Sequence, residues 1–557
     1  MFAGRFRPST WPKVVAEVVG FALLAGLVFQ RLLALAHAAP TDFDDAYMYL
    51  RYASHYLAGD GLAWNRGQGP VYGVTSLLHF FVVAAVRWSF PGLAPGRVLQ
   101  VASGGAALGL LAALVAAIVL CGRLTRTVRA WAFWGVGIVS LLAFREPFVF
   151  HAGTGMDTML AALTNTVLVF FTLQFAQRPT PTRAVWTASA AFLTVLARPD
   201  NLLVAGFCPI LAIVLLAPRP WWKPLVLFAG LLGVLLAGLA AASWQWMGTP
   251  VPLAFFAKRP WYYGGFAGEF TWNPYLFLRI FLAVVWPFAA VWIILGDGPG
   301  LRRAAALLAP VLASLAALVT FNQIMGHLGR FYFPFLPFFV VGGAWELGSW
   351  WARTRPGSLI RLDRILLRAG LAIVLAVVAD VALLAAAEHY QARAQGLKLA
   401  SLGGFHILAT TPLPELDSWQ SAHSIAAIAA SAPPRSSFAM SEHGLPGALA
   451  PEVVIVDVLG LHDAFFAQHG FSAAELFRRR PDVIWMPHPD HTQMLREILD
   501  HPDFWTHYTF YPDALTYGVA LRVNGSNAGR LSLLLRSEWN RLYPGRAMVD
   551  YQAWRGD

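Results

Sequence analysis

The sequence predicts a polytopic α-helical membrane protein with about 11 transmembrane helices, followed by a C-terminal α/β domain outside the membrane. Three observations lead to this fold class. Of the 557 residues, 57% are hydrophobic and only 13% are charged, and the mean hydropathy is +0.55. Apolar runs of about 17–25 residues recur along the chain, and a helix of that length crosses a bilayer. Beyond about residue 390 the apolar runs shorten to strand length.

The candidate membrane spans follow one another with short polar or basic loops between them. Arg5, Arg7 and Lys13 precede the first span, so the positive-inside rule places the N-terminus in the cytoplasm and the segment after this span on the outer face. The first span is too long for a cleavable signal peptide. The candidate spans are residues 14–36, 74–90, 98–121, 128–144, 157–177, 184–197, 200–218, 223–247, 274–295, 302–321, 330–347 and 366–387.

Basic loops between the spans predict which other segments reach the outer face. The loops expected in the cytoplasm are Arg123–Arg129, Arg178–Arg183, Arg219–Lys223, Arg302–Arg303 and Arg353–Arg368. Counting through them places on the outer face His151–Asp157, Arg198–Asp200, Gly248–Asn273, Asn322–Arg330 and everything after about Ala387.

The region between residues 72 and 121 leaves two interpretations open. It holds two apolar segments, whereas the basic loops require an odd number of crossings there. Either one segment is interfacial or re-entrant, or the loop Arg123–Arg129 departs from the positive-inside rule.

Several function classes are excluded by composition and motifs. The net charge is +11, but the Arg and Lys residues cluster in short loops, which indicates topology signals rather than a nucleic-acid surface. Cys121 and Cys208 lie in or at the end of apolar segments and form neither a disulfide framework nor a metal site. The sequence contains no P-loop, no Rossmann glycine pattern and no nucleophile elbow, so nucleotide-driven and serine-hydrolase chemistry have no support.

An adjacent pair of carboxylates, Asp44 and Asp45, is the most informative feature of the chain. It lies in the first outer loop, residues 37–73, within an amphipathic helix predicted from Phe43 to Leu57. Neighbouring helical side chains point about 100° apart, so the two carboxylates cannot address the same atom. Acidic residues also favour the first turn of any helix. Their position on an interfacial helix between spans favours a functional site.

The C-terminal region predicts a small α/β domain. Strands are expected at Val453–Val456 and Val483–Met486, and helices at Ala473–Arg480 and Thr492–Leu499. We therefore divide the chain into a membrane domain, residues 1–390, and an outer domain, residues 391–557, with Gly403–Ser418 as the linker.

Several short motifs resemble the GT-C membrane glycosyltransferases, in the same order along most of the chain. They are FDDAYMYLRYASHYLAGDGLAWN, VYGVTSLLHF, HAGTGMDTML, LARPD, PVPLAFFAK, GHLGRFYFPFLP and SEHGLPGALAPEVVIVDVLGLHD. The branch that they resemble most is the terminal arabinofuranosyltransferases of actinobacterial cell-wall arabinan. One departure is Asn322-Gln323, which stands where an acidic residue is expected.

The resemblance implies an inverting transfer of a sugar, with arabinofuranose favoured, from a polyprenyl-phosphate donor such as decaprenyl-phosphate-arabinose. The acceptor is a hydroxyl of a cell-envelope glycan on the outer face of the cytoplasmic membrane. By family position the catalytic base falls on Asp44, with Asp45 orienting the acceptor, or the reverse. The implied partners are the lipid-linked donor, the glycan acceptor and the lipid bilayer, and no nucleic acid. No cofactor is firmly implied, and a divalent cation stays open.

The cations counted onto the same outer face are candidates for binding the donor phosphate. They are Lys258, Arg259, His327, Arg330 and Arg198. A single juxtamembrane cation more often marks a helix end or snorkels to lipid headgroups, so the functional interpretation depends on the whole set. Candidates for substrate binding are Arg51, Tyr47, His55 and Trp64.

No metal ligands are predicted. The segments Glu442–Gly444 and Leu459–Asp463 contain His443 and His462, but neither has the ligand spacing of a known metal motif, and we interpret both as strand-end loops. The alternative functions are a transporter or flippase for a lipid-linked glycan, or a GT-C enzyme that glycosylates protein or lipid with another sugar. A transporter would more often show paired repeats and ionisable residues at mid-membrane depth, whereas the charged groups of this sequence gather at one face.

Overall fold

Long apolar helices and one small sheet make up the described parts of the chain, which we analysed as a computed structural model. The structure describes residues 43–124, 145–258, 273–320, 325–353, 362–401, 418–489 and 491–551, and residues 26, 30, 41 and 323 singly. Helices before residue 402 are α1 Asp44–Leu57, α2 Leu77–Ser89, α3 Pro95–Leu124, α4 Glu146–Gly153, α5 Thr158–Gln177, α6 Pro181–Ala197, α7 Leu202–Leu216, α8 Trp222–Met247, α9 Ala254–Ala257, α10 Pro274–Leu295, α11 Gly298–Leu318, α12 Leu336–Arg353 and α13 Leu362–Ser401.

Eight helical segments among the described residues are long and apolar enough to cross a membrane. Their large exposed side chains are mainly Leu, Val, Ile and Trp, which suits contact with lipid. Eight predicted spans, from 98–121 to 366–387, are thereby confirmed. The predicted span 128–144 and all but two residues of 14–36 lie outside the described residues. The eight segments are Pro95–Leu120, Thr158–Gln177, Pro199–Leu216, Trp222–Met247, Pro274–Leu295, Gly298–Leu318, His327–Trp350 and Ile365–Ala392.

Two other predicted spans form shorter helices. Residues 184–197 lie in α6, which has 17 residues, and residues 74–90 form α2, which has only 13. A helix of 13 residues is about 20 Å long, whereas the hydrocarbon core is about 30 Å thick. The start of α3 lies beside α1, because a Cβ on Gly155 would contact both Leu99 and Ala46. These observations favour the first interpretation of residues 72–121, in which α3 crosses and α2 does not.

The C-terminal part contains a five-stranded mixed sheet with the strand order β2-β1-β3-β5-β4. Strands β1, β2 and β3 are parallel, and β5 runs antiparallel to both β3 and β4. The predicted strands at 453–456 and 483–486 and both predicted helices are present, with bounds shifted by one or two residues. In chain order the elements are α14 Ser418–Ser431, β1 Ser437–Met440, α15 Gly444–Leu449, β2 Val454–Asp457, α16 Ala464–His469, α17 Ala473–Arg479, β3 Val483–Trp485, α18 Thr492–Asp500, α19 Pro502–His507, β4 Tyr508–Tyr511, β5 Val519–Arg522 and α20 Ala528–Leu542.

Helix α1 and the rest of the first outer loop pack against the C-terminal part. We call this contact region the joint. The sequence predicts an amphipathic helix here, with one polar face, but both faces are largely buried, including Arg51 and His55. The physical reason is that α15 and its flanking loops cover the face that the sequence assigns to water or headgroups. The predicted linker, residues 403–418, lies outside the described residues except for Ser418.

Candidate active site

The carboxylates of Asp44 and Asp45 diverge at the start of α1, as the helical geometry requires. The Asp44 carboxylate accepts hydrogen bonds from the backbone amides of Gly444 (2.9 Å) and Leu445 (2.7 Å). Burial raises the pKa of the Asp44 carboxyl, and the hydrogen bond from Leu445 opposes this shift. Asp44 therefore contacts the start of α15 and fixes the C-terminal part on α1.

The Asp45 side chain points away from this joint. Its Oδ2 lies 2.9 Å from Nη1 of Arg330. One-fifth of the Asp45 side chain is exposed, whereas Asp44 is buried. Of the two carboxylates, Asp45 is therefore the one that an external molecule can reach.

Three cations surround the ring of Phe331, next to Asp45. The distances to the ring centroid are 5.1 Å from Cζ of Arg198, 5.4 Å from Cζ of Arg330 and 5.9 Å from Nζ of Lys258. These three residues come from separate segments of the chain, and all were predicted as phosphate ligands. Of the two other predicted ligands, Arg259 lies outside the described residues, and His327 lies in the turn before Arg330. We call Arg198, Lys258 and Arg330 the cation cluster.

Three carboxylates lie at this cluster, and one of them, Asp45, contacts Arg330. Arg198 binds Asp200 at 2.6 Å and lies 3.6 Å from Asp157. Within the described residues Lys258 forms no ion pair, and burial lowers its pKa. Nη1 of Arg198 and Nε of Arg330 are buried without a hydrogen-bond acceptor among the described atoms. Lys258 and these two guanidinium N–H groups are therefore the parts of the cluster available to an anionic ligand.

A strained turn holds Arg330 and His327 in place. Met325 and Leu328 have positive φ angles of 58° and 50°, which cost non-glycine residues on the order of 1–3 kcal/mol each. Nε2 of His151 lies 3.2 Å from the Leu328 carbonyl oxygen and supports the turn. The His327 ring packs edge-on against Phe43, at a centroid distance of 6.1 Å. Strain of this kind concentrates at functional sites.

Asp157 and Asp200 also lie at the site, although neither was predicted there. Asp157 is buried at the start of α5, and its Oδ2 accepts a 3.4 Å hydrogen bond from the hydroxyl of Tyr49 on α1. Both acids lie in motifs that carry the family resemblance, HAGTGMDTML and LARPD. These motifs were therefore a signal for the two acids, but the contacts with Arg198 are seen only in the folded chain.

The four predicted substrate-binding residues lie in the joint. Arg51 donates to the carbonyl oxygens of Trp64 (2.6 Å) and Val453 (2.9 Å), and His55 lies between the carbonyl oxygens of Ala63 and Pro451. The ring of Trp64 stacks on His462 at 3.9 Å.

The remaining member, Tyr47, donates to the Thr41 carbonyl oxygen, and its ring centroid lies 6.0 Å from that of Trp419. All four residues are buried. Their use in substrate binding stays a prediction.

The fold of this chain is similar to that of a solved structure. It is the crystal structure of ArnT from Cupriavidus metallidurans bound to undecaprenyl phosphate. The TM-score is 0.50 and the sequence identity 16%, and the likeness covers 94% of this chain and 100% of that one. The predicted polytopic α-helical membrane fold with a C-terminal α/β domain is thereby confirmed, and it is similar to the fold of ArnT. No protein-family model matches the sequence, and no curated protein matches it either.

Proposed function

We propose that this protein is an inverting glycosyltransferase that transfers a sugar from a polyprenyl-phosphate donor to an acceptor hydroxyl. The observation that carries the proposal is the contact between Asp45 and Arg330, one of three cations around a single aromatic ring. A carboxylate base beside a group of phosphate-binding cations is what this reaction requires. Undecaprenyl phosphate in the crystal structure of ArnT, a protein of similar fold, supports a polyprenyl-linked donor.

In the proposed reaction the cation cluster binds the donor phosphate. The bond between the anomeric carbon and the phosphate oxygen breaks, and its electron pair stays on the phosphate. Negative charge on this oxygen therefore grows in the transition state, where Lys258 and Arg330 gain most from their preplaced charges. Burial lowers the pKa of Lys258, and bound phosphate would oppose this shift by favouring the charged ammonium.

We assign the general base to Asp45. The acceptor oxygen bonds to the anomeric carbon on the face opposite the phosphate while its proton passes to the Asp45 carboxylate. Asp44 is less suited to this step, because each of its oxygens already accepts a backbone amide and the side chain is buried. In this proposal Asp44, Arg51 and His55 hold the C-terminal part against the site.

The sugar and the acceptor follow from the sequence resemblance. We propose arabinofuranose as the sugar and a cell-envelope glycan as the acceptor, with the reaction on the outer face of the cytoplasmic membrane. Asp45 on α1 contacts Arg330 in the turn before α12, and Asp44 on the same helix contacts the C-terminal part, which supports a site on the same face as that part.

A panel of lipid-linked sugars tests the proposal. Purified protein in nanodiscs is incubated with polyprenyl-phosphate arabinofuranose and, in parallel, with other polyprenyl-phosphate pentoses and hexoses, together with an arabinan oligosaccharide. We expect release of polyprenyl phosphate and growth of the oligosaccharide with the arabinose donor. If another donor is consumed instead, the protein is still a transferase, but its sugar is not arabinofuranose. Consumption of none, with and without added divalent cations, would contradict the transferase.

A further inference from the structure

Three polar side chains meet in the joint behind α1, outside the proposed active site. His443 follows β1, Asp457 ends β2, and His462 lies in the loop after β2. One possible ligand atom from each of these residues lies within 4.8 Å of the other two. All three side chains are almost completely buried, with exposed fractions of 0%, 0% and 4%. A buried group of this kind requires a specific partner.

The hydrogen bonds of the histidines leave nitrogen lone pairs available. Nδ1 of His443 lies 2.8 Å from the Ser441 carbonyl oxygen, which only accepts, so Nδ1 carries the proton and Nε2 the lone pair. Nδ1 of His462 lies 3.1 Å from the hydroxyl of Tyr52. Nε2 of each histidine is buried and has no hydrogen-bond partner among the described atoms. Histidines that bind metals are typically oriented by a hydrogen bond at the other ring nitrogen.

Asp457 supplies a buried negative charge to the same place. Its two oxygens accept the backbone amides of Leu459 (2.8 Å) and His462 (2.6 Å), and each keeps a second lone pair. Within the described part of the chain no Arg or Lys forms an ion pair with it, and Nδ1 of His443 lies 3.6 Å from its Oδ1. A divalent cation would compensate a carboxylate that is otherwise costly to bury.

We infer that His443, Asp457 and His462 bind one divalent metal ion of the zinc class. Two imidazoles and one carboxylate are a set that zinc accepts, with a fourth position left for water. The inference does not depend on the proposed glycosyl transfer. It replaces the interpretation of these segments as plain strand-end loops, because Asp457 joins the two histidines only in the folded chain.

The position of this group indicates that the ion fastens the first outer loop to the C-terminal part. The ring of Trp64 stacks on His462, and Tyr52 of α1 contacts the same histidine. Gly73 packs so tightly here that a Cβ would lie 2.2 Å from the Tyr52 hydroxyl and 2.3 Å from Nδ1 of His462. Three residues of the first outer loop, Tyr52, Trp64 and Gly73, therefore meet at the ligand set.

Metal analysis of the purified full-length chain tests the inference. The protein is loaded with zinc, passed through a desalting column and measured by mass spectrometry for metal per chain. We expect about one zinc ion per chain in the parent, and at least a tenfold weaker affinity in His443→Gln and His462→Gln. The matched control is His491→Gln, which changes a buried histidine of the same sheet domain outside the ligand set.

A second measurement covers the case in which the variants fail to fold. Cobalt replaces zinc in the parent protein, and its visible absorption reports a four-coordinate site with nitrogen and oxygen ligands. Removal of the metal should lower the melting temperature of the parent, and added zinc should restore it. A parent chain without bound zinc after loading, or His443→Gln and His462→Gln variants that hold as much as the parent, would overturn the inference.

Discussion

Two neighbouring aspartates have different surroundings and, in our proposal, different tasks. Asp45 contacts the cation cluster, and Asp44 contacts the backbone of α15. We predict that Asp45→Asn lowers turnover by about 10²- to 10⁴-fold, the usual contribution of a general base. The melting temperature should stay near that of the parent, because the amide keeps a hydrogen-bond acceptor for Arg330. Donor consumption and a thermal scan measure both quantities.

Two companion variants make this prediction specific. Asp44→Asn places an amide group against one of two backbone donors, so we expect a loss of about 1–3 kcal/mol of stability. Asp60→Asn is the control, because Asp60 also binds an arginine, Arg66 at 3.1 Å, but lies in an exposed loop. If Asp45→Asn keeps full turnover, and Asp44→Asn stays folded but loses turnover, then Asp44 is the general base and Asp45 is not.

The lysine of the cation cluster gives the second prediction. Removing one preorganised charge that faces the leaving group costs about 2–4 kcal/mol in the transition state. Lys258→Ala should therefore lower kcat by roughly a hundredfold or more, with little change in the KM of the acceptor. Lys223→Ala is the matched control, since Lys223 also lies over an aromatic ring, Trp222 at 5.5 Å, in a predicted cytoplasmic loop. Equal effects of both variants would contradict the assignment of Lys258.

At the scale of elements, the contact between α1 and α15 is the one on which the site depends. A Cβ on Gly444 would lie 2.0 Å from the Asp44 backbone oxygen, so only glycine allows this approach. We predict that Gly444→Ala lowers the melting temperature and reduces turnover, since α15 must move away from α1. Gly529→Ala, at the start of α20, has open space for a Cβ and should change neither. A fully active Gly444→Ala variant would show that turnover does not depend on the close contact between α1 and α15.

Most individual elements were predictable from the sequence because they depend on local patterns. The apolar runs produced the long helices, and the Val- and Ile-rich segments produced β2 and β3. The helix at 43–57 was also correct. Its burial was not, because the partner residues of Arg51 lie about 400 positions away, at Gly447 and Val453. Periodicity within one element carries no information about such a partner.

The candidate site was predictable in part for the same reason. Counting loops across the membrane placed Arg198, Lys258 and Arg330 on one face, and the structure brings them around one ring. The different roles proposed for Asp44 and Asp45 could not be predicted from the sequence, because they depend on the position of α15. The group of His443, Asp457 and His462 could not be predicted from residue spacing, because the parallel pairing of β1 and β2 brings the three residues together.

At the scale of the whole molecule, the orientation in the membrane is testable. Cys121 and Cys208 are first replaced by Ser and Ala, and single cysteines are then placed at Ser472, before α17, and at Ser358, between α12 and α13. In intact spheroplasts we predict that a membrane-impermeant thiol reagent labels position 472 but not position 358, because basic loops stay in the cytoplasm. Labelling of position 358 alone would reverse the orientation and place the proposed chemistry inside the cell.

The joint at Arg51 also has a consequence for biosynthesis. The first loop leaves the ribosome early, yet the carbonyl oxygens of Ala450 and Val453, which bind its arginine, are synthesised about 400 residues later. At about 5–20 residues per second, that interval lasts on the order of 20–80 seconds. Until then the Arg51 guanidinium lacks these acceptors, and in our proposal the site cannot act on its donor before translation is nearly complete.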